Sequence, residues 1–185
     1  MTNQTMTRRG VLGAMAAFTV AAPVYANAPG LLRGAGQFRQ LRMTNARTGE
    51  ALNTHYWVEG QYIEPALNEI HYFFRDWRQN LIARHDRRSF DIISITHQLL
   101  NTQEPMNLVS GFRSVQTNNM LDSRIDGVAQ NSYHTRGMAA DLTMRSRSVR
   151  HMVSAASSLQ AGGVGTYTRS NFIHIDSGPK RYWGS

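Results

Sequence analysis

In the stretch SYHTRGMAADLTM, residues 132–144, His134 stands on a polar, turn-prone segment and Asp141 lies inside the apolar run MAADLTM. A carboxylate among Met, Ala and Leu loses hydration, which is costly without a compensating partner. An arginine, a set of backbone N–H groups or a metal ion would each serve. The segment NFIHID, residues 171–176, adds a second set of polar groups. Strand alternation puts Ile173 and Ile175 on one face, and Phe172, His174 and Asp176 on the other. With the isoleucines in the core, His174 and Asp176 point together toward a cleft. In GMAADLTM the same alternation groups Ala139, Asp141 and Thr143. A regular strand would point His134 away from Asp141, but the intervening Thr135-Arg136-Gly137 lets it fold back over the strand end. His134, Asp141 and His174 then present nitrogen, oxygen and nitrogen, a reasonable ligand set for zinc with a fourth position open to water. Such an ion would also make Asp141 tolerable among its apolar neighbours. The chain has no cysteine, which excludes thiolate metal sites and a cysteine nucleophile.

Together with SGFRS (110–114) and GGVGTYTRSNFIHIDSGPKRYW (162–183), these segments resemble the zinc murein peptidases related to D-alanyl-D-alanine carboxypeptidases and dipeptidases. The nearest likeness is to the periplasmic endopeptidases that hydrolyse meso-diaminopimelate cross-links. The S-x-H-x-x-G-x-A-x-D pattern is matched at Ser132, His134, Gly137, Ala139 and Asp141, and the likeness runs from about residue 37 to the C-terminus. The resemblance implies one Zn2+ per chain on His134, Asp141 and His174, with peptidoglycan as partner. It implies that Arg113 steadies the polarised carbonyl oxygen or a substrate carboxylate, a task suited to its permanently charged fork. Ser132 and Tyr167 are the candidate substrate contacts, with Tyr167 beside Arg113 at the oxyanion. Several relatives carry Glu, Asp or His two or three residues before the last ligand. Here those positions hold Phe172 and Asn171, and neither takes a proton. Asp176 is the remaining candidate for the catalytic base. It also reads as an acceptor for an imidazole N–H, or as a ligand with His174 as the base. The expected activity is zinc-dependent endopeptidase hydrolysis of cross-link peptides. The alternatives are a D-alanyl carboxypeptidase of the same fold and a non-catalytic wall-binding scaffold.

Plainer readings stand beside these. His134 fits a surface loop, Asp141 a backbone-bonded strand residue, Arg113 a cap for Asp122 or Asp126, and Tyr167 a packing residue. His55, His71, His85, His97 and His151 lack a partner at ligand spacing and read as structural or solvated. GGVG (162–165) precedes no helix and lacks a Lys-Ser/Thr pair, so it is a close-approach turn rather than a nucleotide loop.

The elements that must position these residues follow from periodicity. NARTGE reads as a turn between strands at about 37–44 and 51–58. Leu67, Ile70, Phe74 and Trp77 recur at helical spacing behind Pro65, and Phe90, Ile93, His97 and Leu100 repeat the pattern. MNLVSGFRS predicts a strand ending at Gly111, and TNNMLDSR a short helix. GMAADLTM predicts a strand, SVRHMVSAASSLQAGG a helix stopped by its glycines, and VGTYTRSNFIHID two short strands. The expected fold class is α+β, an antiparallel sheet with packed helices forming a D-Ala-D-Ala carboxypeptidase-like core.

A chain of 185 residues with 41% hydrophobic and 17% charged residues suits one globular domain. Residues 1–26 have the layout of an export signal: Arg8-Arg9, an apolar run from Val11 to about Val24, then small residues. The paired arginines suggest twin-arginine export to the periplasm, with cleavage expected after Ala26. The run is interrupted by Gly13 and Thr19 and is shorter than the ~20 residues of a membrane span, although an uncleaved anchor is the alternative. Residues 27–36 read as a flexible lead-in, and 37–185 as the peptidase domain. Removing the signal lowers the formal charge from +8 to +6, since two arginines and no acid leave with it. For an exported protein this suits anionic wall polymer or lipid headgroups, and no basic aromatic run suggests nucleic acid. A monomer without a stable membrane span is expected.

Overall fold

The alternating stretches flanking NARTGE fold as expected, into strands β1 (Phe38–Thr44) and β2 (Ala51–Val58) paired antiparallel. The structure, a computed structural model, describes residues 36–125 and 129–184. The expected signal over 1–26, nearly all of the 27–36 lead-in, and Asp126 lie outside the described residues.

A two-residue strand, β3 (Gln61–Tyr62), follows, and then helix α1 (Glu64–Phe73) with Pro65 in its first turn, where no intrahelical N–H is needed. The helix ends short of the spacing that extended to Trp77. Asp76 and Leu81 instead bridge a tight turn, which leaves Phe74 buried and Trp77 at the surface. Helix α2 (Arg87–Leu99) is capped by Asp86, whose side chain accepts from the Arg88 N–H. Strand β4 (Met106–Ser110) leads to helix α3 (Val115–Asp122), capped by Ser114. A one-turn 3-10 helix (Tyr133–Arg136) precedes strand β5 (Ala139–Thr143). Helix α4 (Val149–Ser158) and strands β6 (Gly163–Tyr167), β7 (Phe172–Asp176) and β8 (Arg181–Gly184) complete the domain.

The strand order is β3-β2-β1-β4-β5-β7-β6-β8. The sheet is mixed rather than antiparallel, which corrects the expectation from sequence. β1 and β4 run parallel, because the chain crosses over through α1 and α2 before rejoining the sheet. β8 also runs parallel to β6, because it reverses from β7 but lands beyond β6. GGVG belongs to this region: its last three residues open β6 rather than forming a turn.

One face of the sheet is apolar. Ala140, Leu142, Ile173 and Ile175 are fully buried, and α2 and α4 cover them with Phe90, Ile93 and Met152. Burying each large side chain of this kind contributes about 1.5–3 kcal/mol. Asp91 on α2 fixes the register of the layers. It pairs with Arg39 of β1 at 2.7 Å and accepts from the hydroxyls of Tyr56 and Tyr62 at 3.0 and 2.7 Å. The alternate residues of β5 and β7 face away from this core, and they carry the chemistry.

Candidate metal centre and substrate cleft

Asp141 and His174 are direct cross-strand partners on the antiparallel β5–β7 pair, so both side chains leave the sheet on the same face. His134 reaches them from the 3-10 helix. That turn begins at Ser132, whose Oγ accepts from the His134 N–H, and closes at Gly137, which has φ of +63°. A left-handed residue at this point reverses the chain into β5, and a Cβ there would meet the Arg84 carbonyl oxygen at 3.0 Å. The expected fold-back of His134 over the strand end therefore occurs.

Three ligand atoms converge. His134 Nε2 lies 3.2 Å from Asp141 Oδ1 and 3.2 Å from His174 Nδ1, and the last two are 2.9 Å apart. All three residues are buried, and they are the group among the described residues with metal-ligand geometry. Their far sides fix their protonation. His134 Nδ1 donates to the Gly111 carbonyl at 2.7 Å, and His174 Nε2 donates to Asp176 Oδ2 at 2.9 Å. When both rings are neutral, those outward hydrogens leave the two inward nitrogens as lone pairs facing a carboxylate oxygen. Three acceptors at this separation suit a shared cation. The spacing is close to the ~3.3 Å expected between tetrahedral ligands with bonds of about 2.0 Å. The residues fit a metal ion.

The electrostatics agree. Burial pulls the His134 pKa below its ordinary value, which keeps that ring neutral. Burial also pulls down His174, but hydrogen bonds to Asp141 and Asp176 outweigh it and raise its pKa, so positive charge is favoured beside Nδ1. Burial would raise Asp141, yet the two imidazoles hold it well below the usual carboxylate range.

Asp141 has a further partner. Arg113 Nη2 donates to its Oδ2 at 2.5 Å, while Arg113 Nε donates to Ser110 Oγ at 2.8 Å. Of the compensating partners open to Asp141, an arginine is therefore present beside the metal-ligand geometry. One carboxylate oxygen faces the guanidinium and the other completes the ligand set. Among the described residues Asp141 is the acid paired with Arg113, and Asp122 is not.

Asp176 stands behind His174, on the side of the ring away from the ligand atoms. Besides the imidazole it accepts from Arg181 Nη1 and Nη2 at 2.9 and 2.6 Å, and from the Gly178 and Gly163 N–H groups at 2.8 and 3.3 Å. Burial raises its pKa, but these donors outweigh that and bring it down to about 2. Of the readings open for Asp176, this setting suits the acceptor of an imidazole N–H. The carboxylate is saturated with donors, points away from the ligand atoms, and does not belong to the ligand group.

A cleft of about 620 Å³ opens beside the three ligands. Tyr167 and Ser132 both line it. Tyr167 stacks on Phe172 with centroids 4.5 Å apart, and its hydroxyl accepts from the Trp183 indole N–H at 3.0 Å. Packing and polar roles therefore coincide in that side chain. Ser132 is buried and engaged as the cap under His134, which places its visible role in positioning that ligand. Sequence reasoning missed Arg181 and Trp183, since nothing marked KRYW as a strand crossing beside β6. The signal available was Gly163 and Gly165, where an added Cβ would strike Asp176 and Arg181 in one case and Trp183 in the other. His71 and His97 are held by the His85 N–H and the Glu104 carbonyl, and no further described histidine joins the ligands.

A family model described as peptidoglycan L,D-endopeptidase MepK, of the M15 peptidases, matches residues 33–183. The peptidoglycan L,D-endopeptidase MepK of Escherichia coli strain K12 is 43% identical over 145 residues, spanning 78% of this chain and 80% of that protein. The probable peptidoglycan L,D-endopeptidase MepK of Haemophilus influenzae is 36% identical over 146 residues, 78% of each.

Proposed function

The chain belongs to this M15 peptidase family, and from that membership we infer that it is an enzyme, a murein endopeptidase hydrolysing the peptide cross-links of peptidoglycan. The observation that carries the chemistry is the convergence of three buried acceptors, His134 Nε2, Asp141 Oδ1 and His174 Nδ1, whose other polar atoms are already occupied.

Zinc is the ion proposed for these residues, since two neutral imidazoles and one carboxylate are a ligand set of its catalytic sites. When bound it supplies Lewis-acid polarisation of the scissile carbonyl and a water acidified toward a pKa of ~7. The residues around it do the rest. Asp176 acts as a positioning residue that holds the His174 ring with its proton outward. Gly111 does the same for His134 through its carbonyl. Arg113 has five N–H donors, of which two are engaged with Ser110 and Asp141, so donors remain for a developing oxyanion. The Tyr167 hydroxyl takes a hydrogen bond from Trp183, which leaves its own proton to give to a substrate oxygen. Residues 1–26 are proposed to export the enzyme to the periplasm by the twin-arginine route, where its substrate lies.

The test is digestion of isolated peptidoglycan with the zinc-loaded mature protein, reading the products by mass spectrometry and the metal content by elemental analysis. Loss of cross-linked dimers with gain of monomers is expected, at one zinc per chain, with both zinc and activity lost in His134→Ala. Monomers shortened by one alanine would indicate a carboxypeptidase instead. An unchanged muropeptide profile would end the catalytic reading.

A further inference from the structure

The cleft is strongly and unevenly charged. Among the described residues, four arginines line it, namely Arg47, Arg78, Arg113 and Arg181, against one carboxylate, Asp141. Two of the four are committed: Arg113 to Asp141 and Arg181 to Asp176. Arg47 and Arg78 have no carboxylate within ion-pair distance among the described residues. The nearest acid to Arg78, Asp76, is already engaged. Its Oδ1 accepts from the Arg78 backbone N–H at 3.1 Å, and its Oδ2 from the Ser114 N–H and hydroxyl at 2.9 and 2.7 Å.

These two arginines are presented by turns that the fold ties down. Arg47 sits in the β1–β2 turn and Arg78 in the turn after α1. Arg75 joins the turns with two hydrogen bonds to Glu50, each 3.0 Å long. Asp76 then ties the second turn to Ser114, the residue next to Arg113. The Arg78 guanidinium is further set by stacking on Trp77, 4.3 Å from the ring centroid. Burial first, and then repulsion from Arg47, lower the pKa of Arg78; attraction to Asp76 opposes them and repulsion from Arg113 adds to them, so the three cations act on one another. Like charges without ion pairs of their own repel, and an anion placed between them relieves the repulsion.

Their position relative to the ligands follows from strand order. Across β4-β5-β7-β6-β8 the cleft runs past Ser110, Asp141 and His174 to Trp183. Arg47 leaves β1, on the other side of β4, so the arginine end and the Trp183 end lie on opposite sides of the metal ligands. A peptide lying across the strands would meet Arg47 and Arg78 at one end, and at the other the Tyr167–Phe172–Trp183 aromatic wall with Arg181, whose charge Asp176 already pairs.

We propose that Arg47 and Arg78 form a subsite for a free carboxylate of the cross-linked peptide, selecting acidic over amidated cross-links. This rests on the endopeptidase reading and deepens it. Peptides joined through diaminopimelate keep carboxyl groups next to the bridging amide, and these are the anions within reach of such a subsite. Arginine suits it because its fork binds carboxylate through two donors.

The test uses a synthetic diaminopimelate-bridged dimer in two forms, with free carboxylates and with carboxamides, and the zinc-loaded mature enzyme. The wild type is expected to favour the acid. In Arg47→Ala and Arg78→Ala the acid-over-amide ratio of kcat/KM is expected to fall about 2–5-fold, through KM rather than kcat, the scale of one partly exposed charge pair. Arg78→Lys should restore part of the loss. Arg150→Ala, which changes net charge equally on the exposed side of α4, controls for long-range effects and should leave the ratio in place. Equal losses on both substrates, or an unchanged ratio, would overturn the subsite. If the wild type cleaves neither dimer, the endopeptidase reading has failed. The subsite is then judged by calorimetric binding of the uncleaved acid dimer, where an affinity unaltered by the two substitutions sinks it.

Discussion

Asp176→Asn separates two roles that one carboxylate beside a catalytic histidine can have. The substitution keeps size and shape but turns one acceptor into a donor. If the amide oxygen replaces Oδ1, where the Gly163 and Gly178 N–H groups converge, the amide nitrogen must face His174 Nε2. The imidazole then accommodates it by moving its proton to Nδ1, the atom that should hold the metal. In the opposite orientation the imidazole keeps its partner, but both glycine N–H groups lose theirs inside a buried site. Either way the ligand arrangement is weakened. The expected loss in zinc affinity is 10–100-fold, about 1.4–2.7 kcal/mol. The fold loses less than a buried ion pair usually implies, because the Arg181 side chain is 36% exposed and can turn to water. The assay is competition with a chromogenic chelator, followed by kcat at saturating zinc. With zinc restored, kcat should recover to within about an order of magnitude of wild type. Wild-type zinc affinity with a kcat collapsed by ~10³ at saturating metal would refute the positioning role and restore Asp176 as the proton acceptor.

Arg113→Lys replaces a fork bonded to both Ser110 and Asp141 with a point charge, and kcat should fall ~10²-fold or more with a smaller change in KM. Steady-state kinetics check this, and an effect confined to KM would contradict the oxyanion role. Burial first, then His71, push the His85 pKa down to about 3, so this ring is neutral in the fold and protonates near 6.5 when unfolded. Its contribution is therefore present above pH 6.5 and lost as the pH falls from 6.5 to 3, at most about 5 kcal/mol. Urea midpoints measured across that range should slope less steeply in His85→Phe, and an identical slope would count against the assignment. Gly137→Ala places a side chain at φ of +63° and against the Arg84 carbonyl, for a loss of ~1–3 kcal/mol. A lower melting temperature is expected, together with weaker zinc binding because His134 stands on that turn; an unaltered melting temperature would show that the turn tolerates a Cβ.

The local elements were legible because their signals are local. Alternation in AADLT and NFIHID dictates which side chains share a face, and apolar residues at helical spacing behind Pro65 and before the glycines 162–163 mark helices. The same alternation gave the ligand candidates, since a polar residue facing away from an isoleucine or leucine must find something else to face. Parallel pairing was not legible. β1–β4 is set by where the crossover through α1 and α2 lands, and β6–β8 by β8 landing beyond β6 after reversing from β7; neither depends on a neighbour in the chain. The fate of Asp176 was hidden for the same reason. Its spacing from His174 shows that the two share a face, but the four other donors that saturate it come from β6, the Gly178 turn and β8.

The residue types and their two-residue and seven-residue spacings thus determined by themselves which side chains are fit to ligate a metal. Only the tertiary structure decided which lone pairs turn inward and which acid stands behind a ring. It also showed that Asp141 divides its two oxygens between the ligand set and Arg113. The physical reason is that protonation and orientation follow from partners brought together across the sheet, and the sequence names those partners without saying which of them meet.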